Sequence, residues 1–492
     1  MKLANASLND LPANIRTPGY DRSRLTPGIV HIGVGNFHRA HQSWYLHRLF
    51  ETGADRDWAI VGAGVRPPDA QMRERLAAQD YLYTLIELDP DGKSAEVVGS
   101  MVDFVPVADG NGPLIARMAD PATRIVTLTV TEGGYYIRPD TKQFDADHPD
   151  ILYDAANPNT PRTAFGAIVA ALRLRQRGGL GPFTGLSCDN LQGNGTTLRQ
   201  AVVSLARMSD PGFADWIEAN CTFPNSMVDC IVPATGAKEL ELARQFGIDD
   251  AAPVTHENFR QWVIEDAFCA GRPDLGKVGA TLSTDVHDFE KMKLRLLNGS
   301  HQVIATSGEI LGIKTISETM AHPKIHGLFR RVAEQEIAPH VAAVPGFTPA
   351  EYIALIERRF ANPEIVDTTR RVAFDGSSRQ PGFVIPSIRD GIAAGAPITG
   401  LALVSAIWAR YCFGRREDGS AVEPNDPNWS FLTTMAQEAA DNPSVWLQLP
   451  GIYGDVAQHE PFASAFAGWL TLLHRDGVAA AIDTYLAGGT PA

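Results

Sequence analysis

Clustered basic charge is the first thing this chain lacks. Its 43 lysines and arginines stand against 57 aspartates and glutamates, a formal charge of −14. No run of Lys or Arg forms a stripe that would neutralise phosphates, so nucleic acid and anionic membranes are not expected partners. Long apolar runs are missing too. The opening MKLANASLND has no apolar core of signal-peptide length, and the greasiest later stretch, LALVSAIWARYCF at 401–413, is too short for a bilayer and carries Arg410. Neither a targeting segment nor a membrane span is expected. Cysteine is scarce: Cys188, Cys221, Cys230, Cys269 and Cys412 are an odd number without CxxC spacing, which points to reduced thiols in the cytoplasm rather than a disulfide framework. Metal-ligand patterns are thin as well. There is no HExxH, no cysteine cluster and no Tyr-x-x-x-Lys pair, and His38, His41 and His47 have helical spacing but no acidic partner of motif type. Metal catalysis is therefore disfavoured.

What is present is a chain of 492 residues, 44% hydrophobic and 8% aromatic, long enough to bury a sizeable core and to form two domains. From about residue 28 to 280, β-rich runs (GIVHIGVG, WAIVGAGV, YLYTLIEL, AEVVGSM, RIVTLTVT, FTGLSC, SMVDCIVP) alternate with helical patterns near 38–52 and 162–176. Such alternation predicts an α/β domain with a mostly parallel sheet covered by helices. From about 288 the runs lengthen and take helical spacing, as in FEKMKLRLLNGSHQVIATSGEIL and HGLFRRVAEQEIAPHV, which predicts a predominantly α-helical domain. The expected division is 1–284 and 285–492. No Pro/Gly/Ser-rich linker separates the halves, so firm packing with a site in the crevice between them is expected.

The first chemical signal is GIVHIGVGNFHRAHQSWYL, where Gly33 and Gly35 follow an apolar strand-like run and precede a helical pattern. A dinucleotide-binding turn needs a glycine for the tight turn and another so that backbone N–H groups, here those near Asn36 and Phe37, approach a pyrophosphate. The third glycine of that fingerprint is replaced by His38, and a plain strand-to-helix turn would also explain the pair. WAIVGAGV ends at Arg66 and is followed by Asp69, an acid able to bond an adenosine ribose. Asp69 lies 34 residues past Gly35, later than the usual spacing of about 20, and taken alone it reads as a helix N-cap for DAQMRERLAAQ.

The second signal is KMKLRLLNGSH at 291–301. On an ideal helix, relative to Lys293, Glu290 falls at about 60°, His301 at about 80° and Asn298 at about 140°, all within one arc. Leucines and Met292 fill the rest of the circumference, as in a buried helix. Burial disfavours an ammonium and turns a lysine into a base. Equally open on these residues alone, Lys293 snorkels to the surface or pairs with Glu290, and Asn-Gly makes a turn. Two further segments carry polar groups in apolar or turn contexts. SCDNLQGNG at 187–195 is expected to end a strand and expose Asp189 and Asn190, or else to be a capped turn. RVAFDGSSRQPGF at 371–383 sets Arg371 and Arg379 around an Asp-Gly-Ser-Ser turn, suited to polar or anionic groups or simply a solvated loop.

Taken in order, GVGNFHRAH, TLTVTEGGY, SCDNLQGNG, FPNSMVDCIVP, QWVIED and KLRLLNGSH resemble the polyol-specific long-chain dehydrogenases, the mannitol dehydrogenase family, along nearly the whole chain. The resemblance implies an N-terminal Rossmann-type domain that binds NAD(P), a mostly helical C-terminal domain, and metal-independent interconversion of a polyol and a ketose, mannitol and fructose above all. It implies Lys293 as general base, Asn190 and Asn298 as oxyanion hole, and Glu290 on the proton path. His301, Asp229, Arg371 and Arg379 would orient the polyol. Asp69 would be the cofactor-selecting acid, favouring NAD, with Arg66 leaving room for some NADP. One departure is DGSSR where mannitol dehydrogenases read DGSSK, so Arg379 bears on the substrate. Sorbitol, arabinitol and a sugar acid of the fructuronate type remain alternatives, the last suited to the two arginines. A non-catalytic NAD-dependent sugar sensor is a further class, against which intact Lys293 and both asparagines argue. Oligomeric state is not legible in the sequence.

Overall fold

The structure, a computed structural model, describes residues 1–138 and 143–491, without the side chain of Glu132. The chain divides into two compact units, Met1–His287 and Asp288–Ala492.

Among its described residues the first unit carries β1 (Pro27–Ile32), β2 (Ala59–Ala63), β3 (Tyr83–Asp89), β4 (Gly92–Val98), β5 (Met101–Phe104), β6 (Ile125–Leu128), β7 (Thr184–Ser187), β8 (Ser226–Asp229), β9 (Val254–Glu257), β10 (Gln261–Ile264) and β11 (Thr281–Leu282). Five of them form an all-parallel sheet in the order β5-β2-β1-β6-β7. The chain winds outward from β1 through β2 to β5, then returns to the other side for β6 and β7. The order therefore reverses between β1 and β6, and their carboxyl ends flank a topological switch point, where open α/β sheets bind ligands. Both faces of the sheet are buried. Val30, Ile32, Val61, Ala63, Val126 and Leu128 pack beneath the helices Gly112–Ala119, Ala164–Arg177 and Asn194–Ser209. Ile29, Ala59, Ile125 and Leu186 face the helix Gln42–Glu51 and a second layer of strands. Strands covered on both sides read as continuous apolar runs, which is how they announce themselves in the sequence.

Two smaller sheets, β4-β3-β9 and β11-β10-β8, mix parallel and antiparallel pairs. AEVVGSM is not one strand. The chain leaves the small sheet at Gly99 and enters the large one at Met101, and the Arg22 guanidinium holds the corner by donating to the carbonyls of Gly99 (3.0 Å) and Met101 (2.7 Å). The helix expected near 38–52 is also two pieces, Asn36–Ala40 and Gln42–Glu51, broken at His41.

Apart from isolated bridges such as Thr315 with Thr368, the second unit is built from helices among its described residues. Gly299–Ile310 and Thr399–Cys412 lie at its centre, packed on each other and on Thr369–Ala373, Pro323–Val332 and Glu460–Asp476. The greasy stretch at 401–413 is the inner helix of this bundle, buried on nearly every side. No helix among the described residues is long and apolar enough to cross a membrane. Its uncapped first turn receives the Glu336 carboxylate, which accepts from the N–H groups of Gly400 (2.7 Å) and Leu401 (2.9 Å) and from the Tyr485 hydroxyl (2.8 Å). An acid at a helix N-terminus satisfies amides that have no partner within the helix.

Candidate active site

At the end of β1, Gly33 has φ +97° and a β-carbon there would sit 2.2 Å from the Thr129 carbonyl oxygen. Only glycine fits both constraints. Gly35 differs: a β-carbon would meet nothing nearer than the Gly33 oxygen at 3.9 Å. The protein itself does not demand glycine there, so the bare backbone leaves space for something else. Gly35 is the N-cap of Asn36–Ala40 and offers no side-chain cap to the first-turn amides. The Asn36 side chain is committed within the protein, donating to Pro233 O and Thr235 Oγ1 (both 3.0 Å) and accepting from Arg39 (2.8 Å). Any contact from Asn36 to a ligand falls to its backbone. Phe37 is half-buried and stacks on His41 at 5.0 Å. His38, in the place of a third glycine, stacks on His31 of β1 with ring centroids 3.3 Å apart.

Asp69 is not the N-cap expected of it: Arg66 holds that position, and Asp69, three residues on, folds back to cap the N-cap backbone. It sits in the first turn of Pro67–Ala77, and its Oδ2 accepts from the amides of Val65 (3.1 Å) and Arg66 (2.9 Å). That same fold-back brings the carboxylate to the carboxyl end of β2 despite the long sequence spacing. Its Oδ1 faces the exposed Arg66 guanidinium at 3.5 Å.

The loop after β7 corrects one expectation: Asp189 is buried, not exposed. Its carboxylate accepts from the amides of Val130 (3.0 Å) and Thr131 (2.8 Å) and from the Tyr135 hydroxyl (2.8 Å), tying the segment after β6 to the end of β7. Asn194 ties the loop to β8, donating to Asp189 O (3.0 Å) and Ser226 O (2.8 Å). Asn190, between these anchors, is exposed. Asp229 ends β8, buried opposite Gln261 of β10.

In the second unit, Lys293 opens a π-helical turn, Lys293–Asn298, inserted between Val286–Met292 and Gly299–Ile310. The Gly299 amide reaches back five residues to the Leu294 carbonyl. The wider turn rotates less per residue than an ideal helix, so the arc computed from 100° steps does not carry through it. Such insertions recur at functional sites. Lys293 is 7% exposed and Glu290 4%. Beyond the turn, Asn298 Oδ1 and His301 Nε2 are sealed from solvent with no hydrogen-bond partner among the described residues. Buried polar atoms in native proteins are nearly always satisfied, so these two are open to a ligand, as are the neighbouring Ser300 Oγ and Gln302 Oε1. The His301 ring stacks on Phe360 at 4.0 Å. Burial holds its pKa down to about 3, with Arg371, Arg359 and Arg379 acting in the same direction and Asp367 opposing them.

His301, Arg371 and Arg379 are thus neighbours, and Arg359 and Asp367, which sequence reasoning missed, belong with them. Arg371 grips Asp367 with two parallel hydrogen bonds, Nε to Oδ1 at 2.6 Å and NH2 to Oδ2. The i, i+4 spacing of Asp367 and Arg371 was the available signal. Arg379 donates to Val372 O at 2.5 Å. Among the described residues no group of three or more His, Cys, Asp or Glu is arranged to hold a metal ion.

A doubly wound sheet with a glycine turn at its switch point, followed by a helical unit with a buried lysine on a π turn, defines a two-domain dehydrogenase of the Rossmann class. Residues 27–277 match the mannitol dehydrogenase Rossmann domain and residues 285–473 the mannitol dehydrogenase C-terminal domain. Mannitol 2-dehydrogenase of Cereibacter sphaeroides is 55% identical over 474 residues, covering 96% of this chain and 99% of that one. The solved Pseudomonas fluorescens mannitol 2-dehydrogenase, a ternary complex with NAD and D-mannitol, superposes with a TM-score of 0.89 at 39% identity, covering 99% of this chain and 100% of that one. A D-sorbitol dehydrogenase in substrate-free form also gives a TM-score of 0.89, at 34% identity, over 98% and 100%. The chain belongs to the mannitol dehydrogenase family.

Proposed function

We propose that this protein oxidises D-mannitol to D-fructose with NAD, and reduces fructose in the reverse direction. The observation that carries the proposal is the pair of sealed, unpartnered atoms, Asn298 Oδ1 and His301 Nε2, just beyond buried Lys293. Oxidising a secondary alcohol requires a base for the hydroxyl proton and donors for the alkoxide as it forms. Lys293 takes the proton and Glu290, one turn before it, passes it toward solvent. The side-chain N–H groups of Asn298 and Asn190 donate to the developing alkoxide, while Asn298 Oδ1, which can only accept, takes a hydrogen bond from a substrate hydroxyl. Neutral His301, with Asp229, Arg371 and Arg379, orients the remaining hydroxyls.

The residues of the first unit fit a dinucleotide. The Val34 N–H has no acceptor among the described residues, the Gly35 face is open, and the first-turn amides are uncapped. When bound, the nicotinamide accepts the hydride. Asp69 accepts from ribose hydroxyls and repels a 2′-phosphate, so NAD is preferred over NADP. Replacing Asp69 by alanine should erode that preference, read as the ratio of kcat/KM for the two cofactors. An unmodified protein using both equally would refute the assignment. Gly35→Val should keep the fold, since the protein leaves room for it, but weaken NADH binding. An unchanged NADH affinity would count against the dinucleotide position.

A sugar acid is the second reading, supported by three arginines around His301. An NAD-linked oxidation screen over mannitol, sorbitol, arabinitol and mannonate decides between them. Highest kcat/KM for mannitol is expected, and a preference for mannonate would favour the acid. A cytoplasmic setting belongs to the same proposal, supported by all five cysteines standing as free thiols.

A further inference from the structure

The Gly33 carbonyl is held by three donors: the Thr129 hydroxyl (2.6 Å), the Gly35 N–H (2.7 Å) and His31 Nε2 (3.2 Å). The hydrogen positions follow from this set. Thr129 has one hydroxyl hydrogen and gives it to Gly33 O, so toward His31 Nε2, 3.0 Å away, it can only accept. His31 Nε2 therefore carries the ring hydrogen. His31 Nδ1 is left to accept from the Thr127 hydroxyl at 2.7 Å. Neutrality agrees with full burial, which holds the His31 pKa down to about 3. Face-to-face contact with His38 fixes the ring plane.

In a trans peptide the C=O of one residue and the N–H of the next point in opposite directions. Turning the Gly33 carbonyl inward toward Thr129 and His31 turns the Val34 N–H the other way, and that N–H has no acceptor among the described residues. Glycine alone would let this peptide rotate at little cost. We propose, on the strength of the dinucleotide role given to this turn above, that His31 and Thr129 are a positioning pair that fixes the Gly33–Val34 peptide with its N–H toward the dinucleotide pyrophosphate. They touch no substrate. They act by settling the orientation before the ligand arrives, which removes an ordering cost from binding.

The test is a fluorescence titration of NADH into the full-length chain without polyol, paired with the polyol KM at saturating cofactor. Thr129→Val should weaken NADH binding about tenfold, the equivalent of one buried hydrogen bond, with the polyol KM changed less than roughly twofold. Thr129→Ser, which keeps the hydroxyl, should restore the affinity. Unchanged NADH affinity in Thr129→Val, equal losses in the valine and serine variants, or an equal rise in the polyol KM would overturn the proposal. Should Thr129→Val fail to fold, His31→Gln, which keeps a donor near Nε2, is set against His31→Phe, which keeps the stack alone. Tighter NADH binding by the glutamine variant supports the pair, and equal binding overturns it. If the unmodified chain binds no NADH, the dinucleotide role of the turn itself falls, an outcome distinct from the others.

Discussion

Lys293→Ala should cut polyol oxidation by about two to four orders of magnitude, the range a positioned base contributes, while NADH still binds. The lysine is buried at the mouth of the π turn, one helical turn past the equally buried Glu290. A side chain so placed is either a core element or a working group, and the two make different predictions. A base acts only when deprotonated, so oxidation by the unmodified protein should rise with pH, and that rise should be absent in the variant. Lys293→Met keeps most of the apolar stem and should match the alanine variant in turnover while preserving thermal stability, which separates lost chemistry from lost packing. Asn298→Ala should slow the same step by about a hundredfold, as expected for removal of an oxyanion donor. Turnover and a pH profile that survive Lys293→Ala would make this helix merely core.

Much of this architecture was legible because burial on both faces writes itself as apolar runs, as in GIVHIGVG and RIVTLTVT, and because a bundle helix such as 399–412 is apolar all round. The failures have equally physical causes. Polar residues that pin loops are indistinguishable in sequence from polar residues that meet ligands. Asp189 and Asn190 are neighbours in SCDNLQGNG, yet three donors from one distant segment, residues 130–135, hold the first in the interior and leave the second exposed. The Asp69 spacing looked too long because nothing local says that the carboxylate folds back to the end of β2. The π turn at Lys293–Asn298 is invisible to periodicity, since it changes the period itself. Arg359 escaped notice for a related reason. A charged residue on an amphipathic helix reads as solvated, and only the packing of Phe360 against His301 shows that its neighbour turns inward.

Acid should destabilise the protein well before its carboxylates titrate, with the unfolding temperature falling as pH drops below about 6.5. Burial is the largest cause of depression at six histidines: His31, His47 and His301 are held to about 3 and His474 to about 4, and His38 and His256 well below the ordinary value. Nearby arginines reinforce it, Arg48, Arg16 and Arg22 at His47, and Arg410 at His474. An unfolded chain returns each ring to its ordinary value near 6.5. Between that value and the folded one, the unfolded state binds protons that the folded state refuses, so stability rises with pH across the window. The contribution is complete above about 6.5 and is lost progressively down to 3 or 4. Each fully buried ring contributes at most about 1.4 kcal/mol for every pH unit lying between its two values, a steep slope against the roughly 5–15 kcal/mol by which domains are stable. Thermal melts followed by circular dichroism at a series of pH values measure this directly. His47→Gln should give a shallower slope, because one ring no longer distinguishes the two states. An unfolding temperature that stayed level from about pH 7 to about pH 4 would mean that these imidazoles are protonated in the folded chain, and the neutral His31 on which the glycine turn depends would be lost with them.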